Sequence, residues 1–396
     1  MNDKHSILST VSLFHGFNDG SLAVIPLLFP ILKEMFNLSY TQIGFITGGG
    51  LAISLFTEIA VGRAFDSNNS RTLLISGVLI LSGSMFMLSL SQNFFTLVLL
   101  VFLIRFSSSF FHPVGIGLIS RIFKKDRLDW AMGIQSAFGD FGAFIAILTT
   151  LFIAVSLGWI FPLYIWSILG LVCLFIGLYL TRYTPKKLLI VGVLKNKKQT
   201  VSEAIVEWFF IIKRFRLLIP LFVVSSLSYG LTISYLPLFL DEKTNLTLSS
   251  IGLIISLWVG IGVIACLFYG KIQSYIRRKT IITLSYIIIG LMSLLLTIST
   301  SIHIIVIIVI LLGLSTFLSF PALFSFVSEA THQTVEGKTF GYIFTIQLGF
   351  GTVVLFLSGL LADIFGIWIP FALLGVSSLF ATIMIFFKCK FLYVYN

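Results

Sequence analysis

Apolar runs of about 20 residues alternate with short polar breaks twelve times along this 396-residue chain. A helix needs roughly that length to cross a hydrocarbon core of about 30 Å. The runs fall near 8–32, 41–61, 72–91, 94–119, 130–155, 159–181, 217–240, 249–270, 280–299, 302–326, 339–361 and 366–387. In the first, fourth and fifth runs polar residues recur three or four positions apart and so share one face of a helix. The pattern predicts an all-α polytopic membrane protein with twelve transmembrane helices.

The second half repeats the first at a shift of 208 residues. Asn37-Leu38-Ser39 with Ile43-Gly44 returns as Asn245-Leu246-Thr247 with Ile251-Gly252, and Gly62, Pro113, Gly133, Gly158 and Pro162 meet Gly270, Pro321, Gly341, Gly366 and Pro370. Glycine and proline mark constrained backbone, so a shared set predicts two pseudo-symmetric six-helix bundles. Residues 1–181 form the first bundle and 217–396 the second, with a basic linker over 182–216. Within the linker, Val201, Ile205, Trp208, Phe209 and Ile212 fall at helical spacing, which fits either a helix on an anionic leaflet or a plain connector.

Composition agrees with a membrane chain: 58% of residues are hydrophobic, 10% are charged, and 41 are phenylalanine. The formal charge of +11 is not a nucleic-acid footprint, because it is sorted by side. With a cytoplasmic N-terminus, 23 of the 26 Lys and Arg residues fall on the cytoplasmic side; Lys33 and Lys243 fall outside, and Arg105 lies within a helix. Both termini are therefore expected in the cytoplasm, in a multi-pass protein of the cell membrane. Cys173, Cys266 and Cys389 have no pairing or metal spacing and read as packing residues. The first run is too long and too polar for a cleavable signal peptide.

An ionisable group deep in a bilayer costs at least ~2.5 kcal/mol, so each one is a functional candidate. Five stand out, all in the first half: His15 and Asp19, Arg105 and His112, and Asp140. Counted from the helix ends at ~1.5 Å per residue, Asp19, Arg105 and Asp140 share one depth. His15, Asn18 and Asp19 lie on one face of the first helix, and Arg105, Ser108, Ser109 and His112 lie on one face of the fourth. Asp19, Asp140, His15 and His112 are the expected proton-coupling groups, since such side chains gain or lose a proton as their surroundings change. Arg105, Asn18, Ser108 and Ser109 are expected to face those groups or a substrate, unless Arg105 forms a fixed structural ion pair with a carboxylate. The second half offers Tyr229, Thr232 and Gln347 instead, suited to an amphipathic ligand or to interhelical packing.

The chain resembles the major facilitator superfamily. Gly62-Arg63-Ala64-Phe65-Asp66-Ser67-Asn68-Asn69-Ser70-Arg71 keeps Gly62, Asp66 and Arg71 of that family's loop signature and departs at Ser67, Asn69 and Ser70. The resemblance implies a conformational latch at Gly62, Asp66 and Arg71, with Glu58 as a rim partner one turn earlier. In the second copy the aspartate has become Ser274. Arg105 stands alone for the family's Arg-x-x-Gln-Gly pattern, and Gly133 with Gly142 matches part of its Gly-x8-Gly pattern. His15-x-x-Asn18-Asp19, Ser39-Tyr40-Thr41-Gln42-Ile43-Gly44 and Ser108-Ser109-Phe110-Phe111-His112-Pro113 resemble the fosmidomycin-resistance type of efflux protein over roughly residues 10–150.

That resemblance implies export of a small toxic or metabolic compound in exchange for protons; the expected carrier is a monomer with no cofactor and no metal. Proton-coupled uptake of a metabolite is the alternative. A membrane-embedded transferase with His112 or Asp140 as base is a remote one. An ATP-driven pump is disfavoured, since Gly337-Lys338-Thr339 lacks the glycine a phosphate loop needs at His332. Glu329, Glu336 and Asp363 read as solvated charges.

Overall fold

The structure is a computed structural model that describes residues 3–65, 69–123, 125–185, 209, 212–213, 215–216, 218–330 and 336–388. The first half carries α1 (Asp3–Phe36), α2 (Tyr40–Phe65), α3 (Ser70–Leu88), α4 (Phe94–Ser108), α5 (Gly117–Ile122), α6 (Lys125–Leu157) and α7 (Ile160–Leu180). The second carries α8 (Ile219–Lys243), α9 (Leu248–Tyr275), α10 (Arg278–Ile298), α11 (Ile302–Ala330), α12 (Glu336–Phe365) and α13 (Ile369–Lys388). Ten described stretches are long and apolar enough to cross a membrane, with α4 and α5 counting as one. Beside them stand the 34-residue α1, which carries the polar face, and α13, a shorter helix apolar over Ile369–Ile385. The expected all-helical fold is present.

The chain forms two compact units, Met1–Leu38 with Gly49–Lys197, and Ser39–Gly48 with Lys198–Asn396. The first turns of α2 thus pack with the second unit, a division the simple halving at the linker does not anticipate. Most of the 201–216 segment lies outside the described residues.

Inside the first unit α1 runs along α6 and touches α7 and α3, while α3 packs on α4 and α7. The second unit repeats the scheme: α8 packs on α12 and α13, and α10 on α11 and α13. The duplication reaches single dihedrals. Gly158 and Gly366 sit at the same loop of each copy with φ of +113° and +110°, a region that a side chain disfavours. Each unit buries apolar side chains completely, among them Val24, Leu27, Leu28 and Ile147 in one and Leu221, Ile282, Leu323 and Ile385 in the other. Glycine brings α1 and α6 together: a Cβ on Gly142 would collide with the main chain of Gly16.

One element departs from the expected continuous helix over 94–119. α4 stops at Ser108, and His112–Ile116 forms a π-helical turn before α5. Pro113 supplies no N–H and crowds the preceding turn. The hydroxyls of Ser108 and Ser109 both donate to the Arg105 carbonyl, at 3.0 and 2.6 Å, and Ser107 donates to the Leu103 carbonyl at 2.9 Å. Back-bonding of this kind bends helices, and π-turns gather at functional sites. In the second copy α11 runs through Pro321 without a break.

Candidate functional site

The break in α4 turns His112 toward the polar face of α1. Asp19 Oδ2 lies 3.1 Å from His15 Nε2, and Asp19 Oδ1 lies 3.9 Å from His112 Nε2. Asn18 Nδ2 donates to Oδ1 at 3.0 Å. The side chain of His15 is 8% exposed, those of Asp19 and His112 27% and 38%, so the cluster runs from a buried imidazole outward to a half-exposed one.

His15 is held from every side. Its ring stacks on Phe111 at 4.5 Å between centroids, and it meets His112 edge-on at 5.5 Å. Its Nδ1 is 2.8 Å from the carbonyl of Gln135 on α6. A carbonyl only accepts, so Nδ1 carries the proton and Nε2 is the nitrogen that faces Asp19. Two lone pairs at 3.1 Å would repel. The contact is satisfied only with a positive centre between Nε2 and Oδ2, and a shared proton is the simplest.

Asp140, exposed on α6, lies within electrostatic reach of both His15 and Asp19. The stem of Arg105 lies against α2: its Cγ is 3.0 Å from where a Cβ on Gly50 would sit, and the half-buried Glu58 is within its field. Ser108 and Ser109 are buried, with their hydroxyls turned back on the helix they bend.

At the loop signature, a Cβ on Gly62 would lie 3.9 Å from Pro113, so this glycine abuts the π-turn. Asp66 lies outside the described residues. The main-chain N–H of Arg71 donates to Asn69 Oδ1 at 2.9 Å, and the Arg71 side chain borders a small apolar crevice with Ile7, Phe14, Leu74 and Gly177.

In the second unit, Tyr229 packs against Trp258 and Phe317 at 5.4 and 6.1 Å. Gln347 Nε2 donates to the Phe222 carbonyl at 2.9 Å, and Thr232 is fully buried. A buried hydroxyl chain joins Tyr286, Ser225 and Ser319, and a second pair joins Ser228 and Thr316.

Asp363 is exposed, as a solvated charge would be, and it also caps α2. Its carboxylate accepts from the Tyr40 and Thr41 amides at 2.8 and 2.7 Å and from the Thr41 hydroxyl at 2.5 Å. The Tyr40 hydroxyl donates to Glu242. Neither this cap nor the Gln135 carbonyl is visible in the sequence, because both depend on which distant main-chain groups meet.

Residues 9–354 match the family model described as Major Facilitator Superfamily. The chain belongs to the major facilitator superfamily. It is 26% identical over 199 residues to an uncharacterized MFS-type transporter of Bacillus subtilis, YfnC, covering 50% of this chain and 48% of that one. It is 29% identical over 137 residues to the fosmidomycin resistance protein of Escherichia coli, covering 35% and 34%. The matched region thus spans about half or less of these curated relatives. Among solved structures, the nucleoside transporter NupG superposes with a TM-score of 0.79 at 14% identity, over 98% of this chain and 100% of that one. A bacterial homologue of the human lysosomal transporter Spinster, in its inward-facing and occupied conformation, gives 0.75 at 15%, over 100% and 97%. At such identities these structures speak for the fold alone.

Proposed function

We propose that this superfamily member is a secondary active transporter that works by alternating access and exports a small amphipathic compound in exchange for protons. The observation that carries the coupling is the Asp19 carboxylate facing imidazole nitrogens at 3.1 and 3.9 Å on a membrane-embedded helix. Because His15 Nδ1 is committed to Gln135, a proton arriving at the pair is shared between Nε2 and Asp19. The half-exposed His112 and the nearby Asp140 are the groups through which it enters and leaves. A proton crossing 100 mV supplies ~2.3 kcal/mol, a useful drive for a concentrative carrier.

Export is the direction favoured by the likeness to the fosmidomycin resistance protein. The sidedness of the basic residues supports cytoplasmic termini in the cell membrane. Tyr229, Thr232 and Gln347 offer rings and neutral polar groups to the substrate, Arg105 balances its charge, and a monomer carries out the cycle. Gly62, Asp66 and Arg71 act as the latch between states, with Glu58 as its rim partner.

The test is substrate-induced proton movement in vesicles carrying the wild-type chain or Asp19→Asn. Wild type should move protons against the substrate flux and the variant should not. A variant that still couples fully would make Asp19 structural and end this assignment.

A further inference from the structure

The same three side chains that hold a proton have the donor set and spacing of a transition-metal site. Two ligands of one tetrahedral zinc ion, each ~2.05 Å from it, stand about 3.3 Å apart. His15 Nε2 lies 3.1 Å from Asp19 Oδ2 and His112 Nε2 lies 3.9 Å from the other oxygen, Oδ1, on either side of that edge length; taking one ligand atom from each residue, all three fall within 4.8 Å of one another. Closing the set requires the widest separation to shrink by no more than about 1.5 Å. That movement is available to His112, which is 38% exposed and sits on the π-turn rather than in a regular helix.

The surroundings match those of a metal ligand set. The Nδ1–H of His15 is held by the Gln135 carbonyl, which aims the Nε2 lone pair into the cluster; metal-bound histidines are oriented in this way. The buried Asn18 amide fixes the Asp19 carboxylate by donating to Oδ1, the oxygen that faces His112. Phe111 stacked on one side and Gly139 close on another fix the ring plane. Two imidazoles and one carboxylate select borderline first-row ions over magnesium or calcium, and leave a coordination position open.

We infer that His15, Asp19 and His112 bind one divalent transition cation, zinc, cobalt or nickel, at the place the coupling proton occupies. Binding itself does not depend on the transport reading. Inhibition of transport by the ion does.

The experiment uses the untagged full-length chain in detergent, titrated with Co2+, whose tetrahedral complexes absorb strongly in the visible. One equivalent should produce the band, and zinc should bleach it by displacement. Asp19→Asn and His112→Ala should each weaken binding at least tenfold. Asp19→Asn is nearly isosteric and His112 is half-exposed, so both variants should keep the elution profile of the wild type. His303→Ala, in another helix, should leave binding unchanged. Absence of a saturable band overturns the site, as does a band that survives in either variant. The spectrum is read without substrate or gradient. Cobalt binding by a protein whose proton coupling ignores Asp19→Asn would therefore remove the transport assignment alone, and a coupled protein that binds no cobalt would remove the metal site alone.

Discussion

A Cβ on Gly139 would lie 2.7 Å from both Cε1 and Nε2 of His15. The absence of a side chain on α6 is thus what lets the His15 ring lie between Phe111 and the Gln135 carbonyl. Gly139→Ala should push the imidazole off Asp19, at an overpacking cost of about 1–3 kcal/mol. Gly133 is the control, because a Cβ there meets nothing within 4 Å. Gly133→Ala should keep transport and gain up to ~1 kcal/mol of helix propensity. Transport rates and thermal unfolding of the two variants, measured side by side, would expose the error if Gly133→Ala proved the more harmful.

The two copies also disagree at proline, and the disagreement can be measured. Pro113 ends the regular helix and delivers His112, whereas Pro321 sits inside the continuous α11. Pro113→Ala, combined with Ser108→Ala and Ser109→Ala, removes both the missing N–H and the hydroxyls that bond back to Arg105. The triple variant should straighten the segment, carry His112 away from Asp19 and cut transport at least tenfold. Pro321→Ala should leave transport intact, since interior proline costs a helix about 3 kcal/mol and its removal relieves that cost. Equal loss in both would show that the break has no special part.

Helical periodicity made much of this arrangement legible. The i, i+3, i+4 spacing of His15, Asn18 and Asp19 put them on one face, and they do converge on one carboxylate. The shared glycines foretold a duplicated backbone, visible in the matched φ of Gly158 and Gly366. Depth counting says less, since rise along an axis fixes height but not direction around it. The stem of Arg105, for example, passes against Gly50 of α2, a neighbour that its height alone does not single out. Uniform hydropathy across 94–119 concealed the π-turn, because apolar content is blind to backbone hydrogen bonding. Main-chain partners such as the Gln135 carbonyl leave no residue-type signal at all.

The hydroxyl chain of the second unit has a structural reading that mutation can separate from transport. Tyr286 is fully buried, its hydroxyl meets Ser225 at 2.8 Å, and the Leu221 carbonyl accepts from it. Tyr286→Phe leaves that carbonyl and Ser225 short of a partner, at about 1–3 kcal/mol. A lower unfolding temperature with unchanged proton coupling is expected. Loss of coupling without loss of stability would instead place this chain on the proton route.

Asp363 gives the most local test of how α2 is anchored. Its carboxylate accepts from two amides and a hydroxyl at the first turn of that helix, where the helix dipole favours negative charge. Caps of this kind contribute about 0.5–2 kcal/mol, so Asp363→Ala should speed hydrogen exchange at Tyr40 to Gly44 by roughly 2- to 30-fold. Asp363→Asn keeps an acceptor but loses the charge, and its effect should fall between wild type and Asp363→Ala. Tyr40→Phe removes the Glu242 contact to the Tyr40 hydroxyl, and because both contacts meet at Tyr40 the double variant with Asp363→Ala should depart from simple additivity. Exchange in α6 near Gln135 should stay as in wild type in all three variants. If Asp363→Ala leaves exchange at α2 unchanged, the turn is anchored by packing of Gly44 and Gly48 against α12, where a Cβ on Gly48 would clash with the Thr352 carbonyl. Gly48→Ala would then be the variant that frees it.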